Sequence, residues 1–340
     1  MSVQSPSPRL FFEAVSAYEK TEAIRTAVEL ELFTHIASGK RTPPEIAQAC
    51  QACQASPRGI RILCDYLTVQ GFLIKHNDRY ELTADSSFYL DKNSPAYLGK
   101  TLEFLHTPKL RECFHRLTEA VRIGGTALPE EGTVSHDNPI WVEFARGMVG
   151  MMRLPAKLLA DLVKEDTNKP LRILDVAAGH GIFGITIAER YPQARVTALD
   201  WRNVLAVASE NASQAGISQR YSLLPGSAFD VDWGGPYDLV LLTNFFHHFD
   251  VPTCEKLAAK AYAALAPGGR ALTLDFIPEA DRISPAHAAG FALTMLVATG
   301  HGDAYTFEEY RKLFEKAGFA KNEFHALLPT NQQAIVSSKA

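Results

Sequence analysis

The amino-acid sequence predicts an α/β protein in which a mostly helical N-terminal part precedes a parallel β-sheet. From residue 171 onward, short apolar strands alternate with helical segments of about 10–15 residues, which is typical of a parallel sheet covered by helices on both faces. The last two apolar runs are separated only by Pro329-Thr330-Asn331. That gap is too short for a helical crossover, so the two runs are expected to pair as antiparallel strands.

The composition of the 340-residue chain excludes several classes of protein. Hydrophobic residues make up 46% and charged residues 21%, which excludes disorder for most of the chain, and the length suggests about two domains. A net charge of −4 argues against a general binder of nucleic acid or of anionic membranes. No apolar run approaches the roughly 18 residues of a membrane span, and no secretory signal is visible. Because the five cysteines are odd in number, a reducing compartment is favoured, and we expect a cytoplasmic protein.

Residues 1–95 are predicted to form a small domain of three helices and a β-hairpin. Apolar residues recur every four positions from Ile24 to Ile36, a capping box stands at residues 42–45, and a third helix begins at Ser56-Pro57. Two short apolar runs then flank His76-Asn77-Asp78, as in a β-hairpin. This arrangement resembles a winged helix.

A winged helix raises the possibility of DNA binding, and the charges of this segment test it. Residues 1–90 contain nine Lys and Arg against ten Asp and Glu, a net charge of −1. The third helix would have to enter the DNA groove, yet its basic residues are only Arg58 and Arg61. A packing or dimerisation role is therefore favoured, and no nucleic-acid partner is expected.

Residues 96–168 are predicted to be a helical segment that links the two domains. Three of the five methionines, Met148, Met151 and Met152, lie within five residues of it. Methionine fills irregular apolar space and adapts to flat aromatic ligands. Ordinary core packing explains the same cluster equally well, so both interpretations stay open.

The most specific local feature is the glycine-bearing loop from Asp175 to Gly181, which lies between a strand and a helix. Open parallel sheets bind ligands beyond the carboxyl ends of their strands, and Gly179 and Gly181 allow the backbone to approach a ligand closely. Asp200 ends the next strand, where a carboxylate can accept hydrogen bonds from both hydroxyls of a ribose. The loop is therefore a candidate nucleoside-binding site.

Two kinds of cofactor compete for this loop. Gly179-His-Gly181-Ile-Phe-Gly184 matches the G-x-G-x-x-G pattern of dinucleotide-binding proteins. Asp175, however, would repel a pyrophosphate, and the strand series ends in an antiparallel pair. A cationic sulfonium such as S-adenosylmethionine tolerates nearby carboxylates and is favoured over NAD or FAD.

Taken together, the motifs resemble those of the class I S-adenosylmethionine-dependent methyltransferases. The motifs are DVAAGHG at 175–181, Asp200, GSAFD at 226–230, NFFHHFD at 244–250 and APGGR at 266–270. The helical N-terminal part narrows the resemblance to the two-domain O-methyltransferases. The resemblance runs from about residue 15 to the end of the sequence. It implies a Rossmann-like, seven-stranded sheet with the last strand antiparallel at residues 169–340, a substrate lid at 96–168 and a homodimer formed through residues 1–95.

The resemblance also implies a set of cofactor contacts. Gly179 and Gly181 would line the methionine part of S-adenosylmethionine, Asp200 its ribose and Trp201 its adenine. At the third motif the family often has an acidic residue, and this chain has Ser227. The complete set of residues expected to bind the cofactor is Asp175, Gly179, Gly181, Asp200, Trp201, Ser227, Ala228, Phe229 and Asn244.

The family's catalytic base is a histidine just after the fourth strand, and His247 matches that position, with His248 as a competitor. A phenol has a pKa near 10, and a histidine with a pKa near 6.5 can take its proton during methyl transfer. Asp275 matches the first acidic partner of that histidine. Ala304 stands near where the second acidic partner, a glutamate, is expected, with Asp303 one residue earlier. This departure leaves methyl transfer to carbon or nitrogen open.

These observations favour a methyltransferase that acts on a small aromatic or polyketide-like hydroxyl. Candidate residues for the acceptor pocket are Phe144, Met148, Phe291 and Met295, each of which could equally belong to the core. The alternatives are an oxidoreductase that binds NAD(P) and a winged-helix regulator. Cys50-x-x-Cys53 has no second pair at metal-ligand spacing, so no metal is expected.

Overall fold

The computed structural model describes residues 6–50, 55–128 and 139–340 and divides the chain into two compact units. The first unit ends at Glu103 and the second begins at Phe104. The division therefore falls inside the segment 96–168, which the sequence analysis set apart as a separate link. Cys53 of the Cys50-x-x-Cys53 pair lies outside the described residues.

The first unit is built from helices and one hairpin around its own core. Thr42 and Glu45 form the predicted capping box, and Ser56 accepts a hydrogen bond from the Gly59 N–H. Asn77, with φ of 57°, forms the turn of the hairpin. The elements are α1 (Arg9–Val15), α2 (Ala17–Glu29), α3 (Leu32–Ala37), α4 (Pro43–Ala49), α5 (Pro57–Val69), β1 (Leu73–His76), β2 (Arg79–Leu82), α6 (Ala84–Tyr89) and α7 (Gly99–Leu105), the last of which contains the division.

The second unit alternates strands and helices, as the sequence predicts. Its first helices are α8 (Pro108–His115), α9 (Leu117–Ile123), α10 (Ile140–Gly147) and α11 (Val149–Ala160). The alternating part consists of β3 (Arg172–Val176), α12 (Ile182–Arg190), β4 (Arg195–Asp200), α13 (Arg202–Gln214), β5 (Tyr221–Pro225), β6 (Tyr237–Thr243), α14 (Val251–Ala264) and β7 (Leu265–Asp275). The chain continues with α15 (Ala286–Ala298), α16 (Phe307–Ala317), β8 (Lys321–Ala326) and β9 (Gln333–Ser338).

Seven strands of the second unit form one sheet in the order β5-β4-β3-β6-β7-β9-β8. The strands from β5 to β7 pair in parallel, whereas β9 lies between β7 and β8 and is antiparallel to both. The predicted seven-stranded sheet with an antiparallel last strand is thereby confirmed.

The central strands are mostly apolar because both faces of the sheet are buried. Ile173, Leu239 and Leu241 belong to one core cluster, which α11 and α12 cover. Their neighbours in the chain, such as Leu174 and Val240, belong to a second cluster that includes residues of α14 and α16. Alternate residues of one strand thus anchor helices on opposite faces, and this fixes where each strand ends.

The chain runs from β3 to β4 and β5 on one side of the sheet and then returns to β6 and β7 on the other side. The strand order therefore reverses between β3 and β6. At such a switch point the loops that follow adjacent strands diverge to opposite faces and leave a crevice. The predicted cofactor and catalytic residues lie at or just after the carboxyl ends of β3, β4, β5, β6 and β7, at this edge of the sheet. None of the helices within residues 6–50, 55–128 and 139–340 is long and apolar enough to cross a membrane.

Candidate active site

A cleft of about 890 Å³, counting the open space at its mouth, lies at the switch point of the second unit. Several of the predicted residues line it, namely Phe144, Gly179, Asp200, Trp201, Ser227, Ala228, Phe229 and Asn244. The motifs of four separate loops therefore meet in one cavity.

The floor of the cleft is the loop from Asp175 to Gly181, and its glycines are required by the backbone. Gly179 and Gly181 have φ of 56° and 73°, values that disfavour a residue with a Cβ atom. A Cβ atom on Gly181 would collide with the Tyr221 hydroxyl, and one on Gly184 would lie 2.9 Å from Asp175 Oδ2. Packing or backbone conformation therefore explains all three glycines of the G-x-G-x-x-G pattern without a bound dinucleotide.

The carboxyl group of Asp175 is buried beneath this loop, whereas Asp200 is partly exposed and lines the cleft. Asp200 accepts hydrogen bonds from the N–H groups of Gly179 (2.8 Å) and Trp201 (2.7 Å), yet burial raises its pKa to about 6. Asp175 accepts one bond from the Gly184 N–H (3.1 Å), and its other oxygen has no partner. Burial, helped by the nearby charge of Asp200, raises the pKa of Asp175 to about 7. A positive ligand in the cleft would favour the ionised form of Asp200, which lines it.

One wall of the cleft consists of aromatic rings. Phe229 and Phe245 each pack edge-to-face on Phe249, with 5.1 Å between ring centroids. The Lys260 ammonium group donates hydrogen bonds to the carbonyls of Ala228 (2.7 Å), Phe229 (2.9 Å) and Val231 (3.0 Å), which holds this wall in place. A flat, apolar slot of this kind suits a heteroaromatic base.

His247 lies in a short 3₁₀ turn that follows β6, and it faces the end of β7. Its Nδ1 is 2.6 Å from Asp275 Oδ1, and the two residues are 4% and 1% exposed. The Phe276 N–H donates to the same carboxylate oxygen (2.8 Å), and the Tyr310 hydroxyl donates to Oδ2 (2.7 Å). The structure therefore brings together the two residues that the sequence suggested as base and acidic partner.

His248 occupies a different environment from its neighbour. Its ring lines the cleft, 5.2 Å from the Trp141 ring and 4.3 Å from the His247 ring. Burial, together with the nearness of His247, lowers the pKa of His248 well below its ordinary value. Because its charged form is disfavoured, His248 is a poor proton acceptor compared with a histidine paired to a carboxylate.

The remaining predicted residues fall in three places. Phe144 lines the cleft, and Phe291 contacts the His247 ring at 4.7 Å and stacks on Phe276 at 4.0 Å. Met148 and Met295 are buried, Met148 within the core cluster that α11 and α12 share. Asp303, the candidate for the second acidic partner, forms an ion pair with Arg282 at 3.4 Å.

Sequence reasoning missed Trp141, His180, Lys260 and Tyr310. Trp141 precedes Phe144 by one helical turn, so the helical period would have placed both on one face. His180, a lining residue whose Nδ1 accepts a bond from the Ile182 N–H, stands inside the glycine motif and could have been noted there. Lys260 and Tyr310 carry no local signal, because their partners lie about 30 residues or more away in the chain. In the part of the chain that the structure describes, no group of three or more His, Cys, Asp or Glu could hold a metal ion.

Comparisons with known families give two matches. The O-methyltransferase domain family matches residues 114–320, and the O-methyltransferase dimerisation domain family matches residues 12–92. The chain is 29% identical to the 3-hydroxy-5-methyl-1-naphthoate 3-O-methyltransferase of Streptomyces sahachiroi, over 92% of this chain and 89% of that protein. It is 28% identical to the tetracenomycin polyketide synthesis 8-O-methyl transferase of Streptomyces glaucescens, over 92% and 91%.

Comparisons with solved structures agree with this assignment. A crystal structure from Nostoc punctiforme, assigned provisionally as an O-methyltransferase, is 49% identical with a TM-score of 0.93, over 99% of this chain and 100% of that one. Human N-acetylserotonin methyltransferase in complex with S-adenosylmethionine superposes with a TM-score of 0.86 over 100% of this chain and 99% of that one. At 21% identity, the second likeness supports the fold alone.

The raised pKa of Asp175 predicts how stability depends on pH. We expect the wild-type protein to lose stability relative to Asp175→Asn as the pH rises from about 4 to about 7. In this window the folded state binds a proton that the unfolded state lacks. Each increase of one pH unit therefore lowers the free energy of unfolding by at most about 1.4 kcal/mol. Thermal unfolding midpoints at about pH 5 and about pH 8 measure the effect. The exposed Asp232→Asn serves as control, and a difference between wild type and Asp175→Asn that stays constant with pH would contradict the prediction.

Proposed function

Since this chain belongs to the O-methyltransferase family, we propose that it methylates the hydroxyl group of a small aromatic molecule, with His247 as general base. The observation that carries the proposal is the 2.6 Å contact between His247 Nδ1 and Asp275 Oδ1 beside the cleft. The enzyme class is a methyltransferase that depends on S-adenosylmethionine. The acceptor and the roles of individual residues are the parts that we propose.

The residues of the cleft fit S-adenosylmethionine. When bound, the cofactor supplies an electrophilic methyl group on a positively charged sulfonium. Asp200 would accept hydrogen bonds from its ribose, Gly179 and Gly181 would admit its methionine part, and Trp201 and Phe229 would contact its adenine. The described residues that line the cleft include no Lys or Arg to neutralise a pyrophosphate, so they fit a dinucleotide less well.

His247 has the orientation that a general base requires. Because Nδ1 donates its proton to the Asp275 carboxylate, the lone pair resides on Nε2, the nitrogen on the other side of the ring. When Nε2 takes the acceptor's proton, the negative charge of Asp275 stabilises the imidazolium that forms. His248 Nδ1 has no hydrogen-bond partner among the described residues, and for that reason we assign the role to His247.

The surroundings of His247 favour a flat acceptor. Phe291 packs on the His247 ring and stacks on Phe276, and Trp141 and Phe144 form an adjacent aromatic pair at 5.7 Å. Aromatic side chains pack well on planar rings. Two relatives are named as a naphthoate O-methyltransferase and a tetracenomycin polyketide O-methyl transferase, and these names also support a flat acceptor.

We also propose that the enzyme is a cytoplasmic homodimer. The first unit matches a dimerisation domain family, and α1 exposes Leu10, Phe11 and Phe12. Within the described residues, Cys64, Cys113 and Cys254 are free thiols, as expected in a reducing compartment.

A direct test of the function is methyl transfer to a panel of simple acceptors. We expect methyl-labelled S-adenosylmethionine to label phenols and naphthols, and not the matching anilines, because the geometry serves removal of a hydroxyl proton. Calorimetry with S-adenosylhomocysteine and with NAD compares the two cofactor classes. Tight NAD binding without a response to S-adenosylhomocysteine, or label on nitrogen or carbon alone, would overturn the proposal.

Replacing the proposed base tests its role. We expect His247→Gln to lower kcat by about 100-fold or more, because glutamine cannot accept the proton. The affinity for S-adenosylhomocysteine, measured by calorimetry, should stay within about twofold. His325→Gln, on β8 and away from the cleft, is the matched control. Unchanged turnover in His247→Gln would reject the assignment.

Replacing Asp200 tests the cofactor site. We expect Asp200→Ala to weaken binding of S-adenosylhomocysteine by about 10- to 100-fold, because the ribose and the Gly179 N–H both lose a carboxylate acceptor. Calorimetry measures the affinity, with the exposed Asp232→Ala as control. Equal affinities in the two variants would show that Asp200 does not contribute to the cofactor site.

A further inference from the structure

The Asp275 carboxylate is held by three donors from three different parts of the second unit. His247 Nδ1 and the Phe276 N–H share Oδ1, whereas Oδ2 accepts a bond from the Tyr310 hydroxyl at 2.7 Å. Tyr310 lies on α16 and is fully buried. A carboxylate with both oxygens engaged cannot rotate, so its Oδ1 stays directed at His247.

We propose that Tyr310 is a positioning residue that takes the place of the missing second acidic partner of the catalytic histidine. The proposal rests on the proposed function, in which His247 is the base. At the position where the resemblance implies that second acid, this chain has the buried Ala304, which has no hydrogen-bonding side chain. Asp303, one residue earlier, is paired with Arg282 instead.

The ring of Tyr310 is fixed well enough to position another side chain. It packs edge-to-face on Phe246 at 5.7 Å and lies nearly parallel to Phe314 at 6.3 Å. Phe246 directly precedes His247 in the chain. Tyr310 therefore contacts the catalytic turn through its ring and the acidic partner through its hydroxyl, so one side chain restrains both members of the pair.

The charge of Tyr310 differs from that of the acid it would replace. Burial and the Asp275 carboxylate hold the pKa of Tyr310 well above its ordinary value, so the phenol is a neutral donor throughout the working range. The other titratable groups near it are Cys254 on α14 and Tyr305, and burial raises the pKa of both. His247 therefore has one negatively charged neighbour, Asp275, whereas a pair of acidic partners would supply two negative charges. Its other titratable neighbour, His248, is neutral.

Removing the hydroxyl has two consequences that differ in their readout. The carboxylate becomes freer to rotate, which misplaces His247 and lowers the rate of the chemical step. The carboxylate also loses a donor, which makes it a stronger acceptor for the His247 N–H and a better stabiliser of the imidazolium. The second effect shifts the acid limb of the pH–rate profile to higher pH.

The test compares Tyr310→Phe with Tyr237→Phe. Tyr237 is also buried, and its hydroxyl donates to the Trp233 carbonyl at 2.9 Å, away from the catalytic pair. We expect Tyr310→Phe to lower kcat by about 5- to 20-fold and to shift the acid limb upward by about 0.5 pH unit. The KM for S-adenosylmethionine should stay within about twofold of the wild-type value. Identical kcat and pH profiles in the two variants would overturn the proposal.

A spectroscopic readout separates this proposal from the assignment of the base. The His247 N–H proton that Asp275 binds should give a low-field proton resonance, identified by its loss in His247→Gln. We expect Tyr310→Phe to move it further downfield and Tyr237→Phe to leave it in place. If His247→Gln keeps full activity, the base assignment fails, while this shift still shows whether Tyr310 controls the pair.

A second form of the experiment covers the case in which Tyr310→Phe does not fold. The wild-type enzyme prepared with 3-fluorotyrosine has a more acidic phenol at residue 310, and therefore a stronger donor to Asp275. We expect the His247 N–H resonance to move upfield in that protein. A resonance that does not respond to fluorination would overturn the proposal.

Discussion

The hydrogen bond between His247 and Asp275 is the interaction on which the rest of the site depends. The two residues are 28 positions apart and meet only because β6 and β7 are parallel neighbours that end at the same edge of the sheet. That neighbourhood in turn requires α14 to pack across the sheet between them, with a core filled on both faces. The apolar strands therefore do more than stabilise the fold, because their register sets the distance from the proposed base to its proposed acidic partner.

The sequence predicts the features that are encoded locally. The alternation of strands and helices, the short link at 329–331 and the glycine loop each depend on neighbouring residues, and all three predicted correctly how the chain folds. Contacts between distant residues leave no such signal. Tyr310 follows Asp275 by 35 positions, and the packing that directs its hydroxyl to Oδ2 exists only in the folded unit. The choice between His247 and His248 likewise depends on which ring faces a carboxylate, which adjacent positions in a sequence do not reveal.

Two departures from the family pattern have different meanings. Ser227 replaces a residue that is often acidic, and Ala304 replaces an expected acid, so that the site carries less negative charge than the pattern implies. Asp200, which lines the cleft, remains as the carboxyl group of the proposed cofactor site. The departures thus lower the negative charge both at the proposed cofactor site, through Ser227, and near the proposed base, through Ala304. Family membership as an O-methyltransferase shows that the missing second acid does not by itself indicate another reaction class.

The position of β9 in the sheet bears on the order in which the site can assemble. This strand follows β8 in the chain, yet it lies between β7 and β8 and pairs with Asp275 itself through Gln333. The next residue back, Gln332, donates a hydrogen bond to Asn244 at the cleft, and Gln333 accepts one from the Ile277 N–H. Until these residues are in place, β7 has an open edge and the end that carries Asp275 is unsupported. The glycine loop can therefore fold before β9 inserts, whereas the proposed catalytic pair is held in place only once β9 lies beside β7.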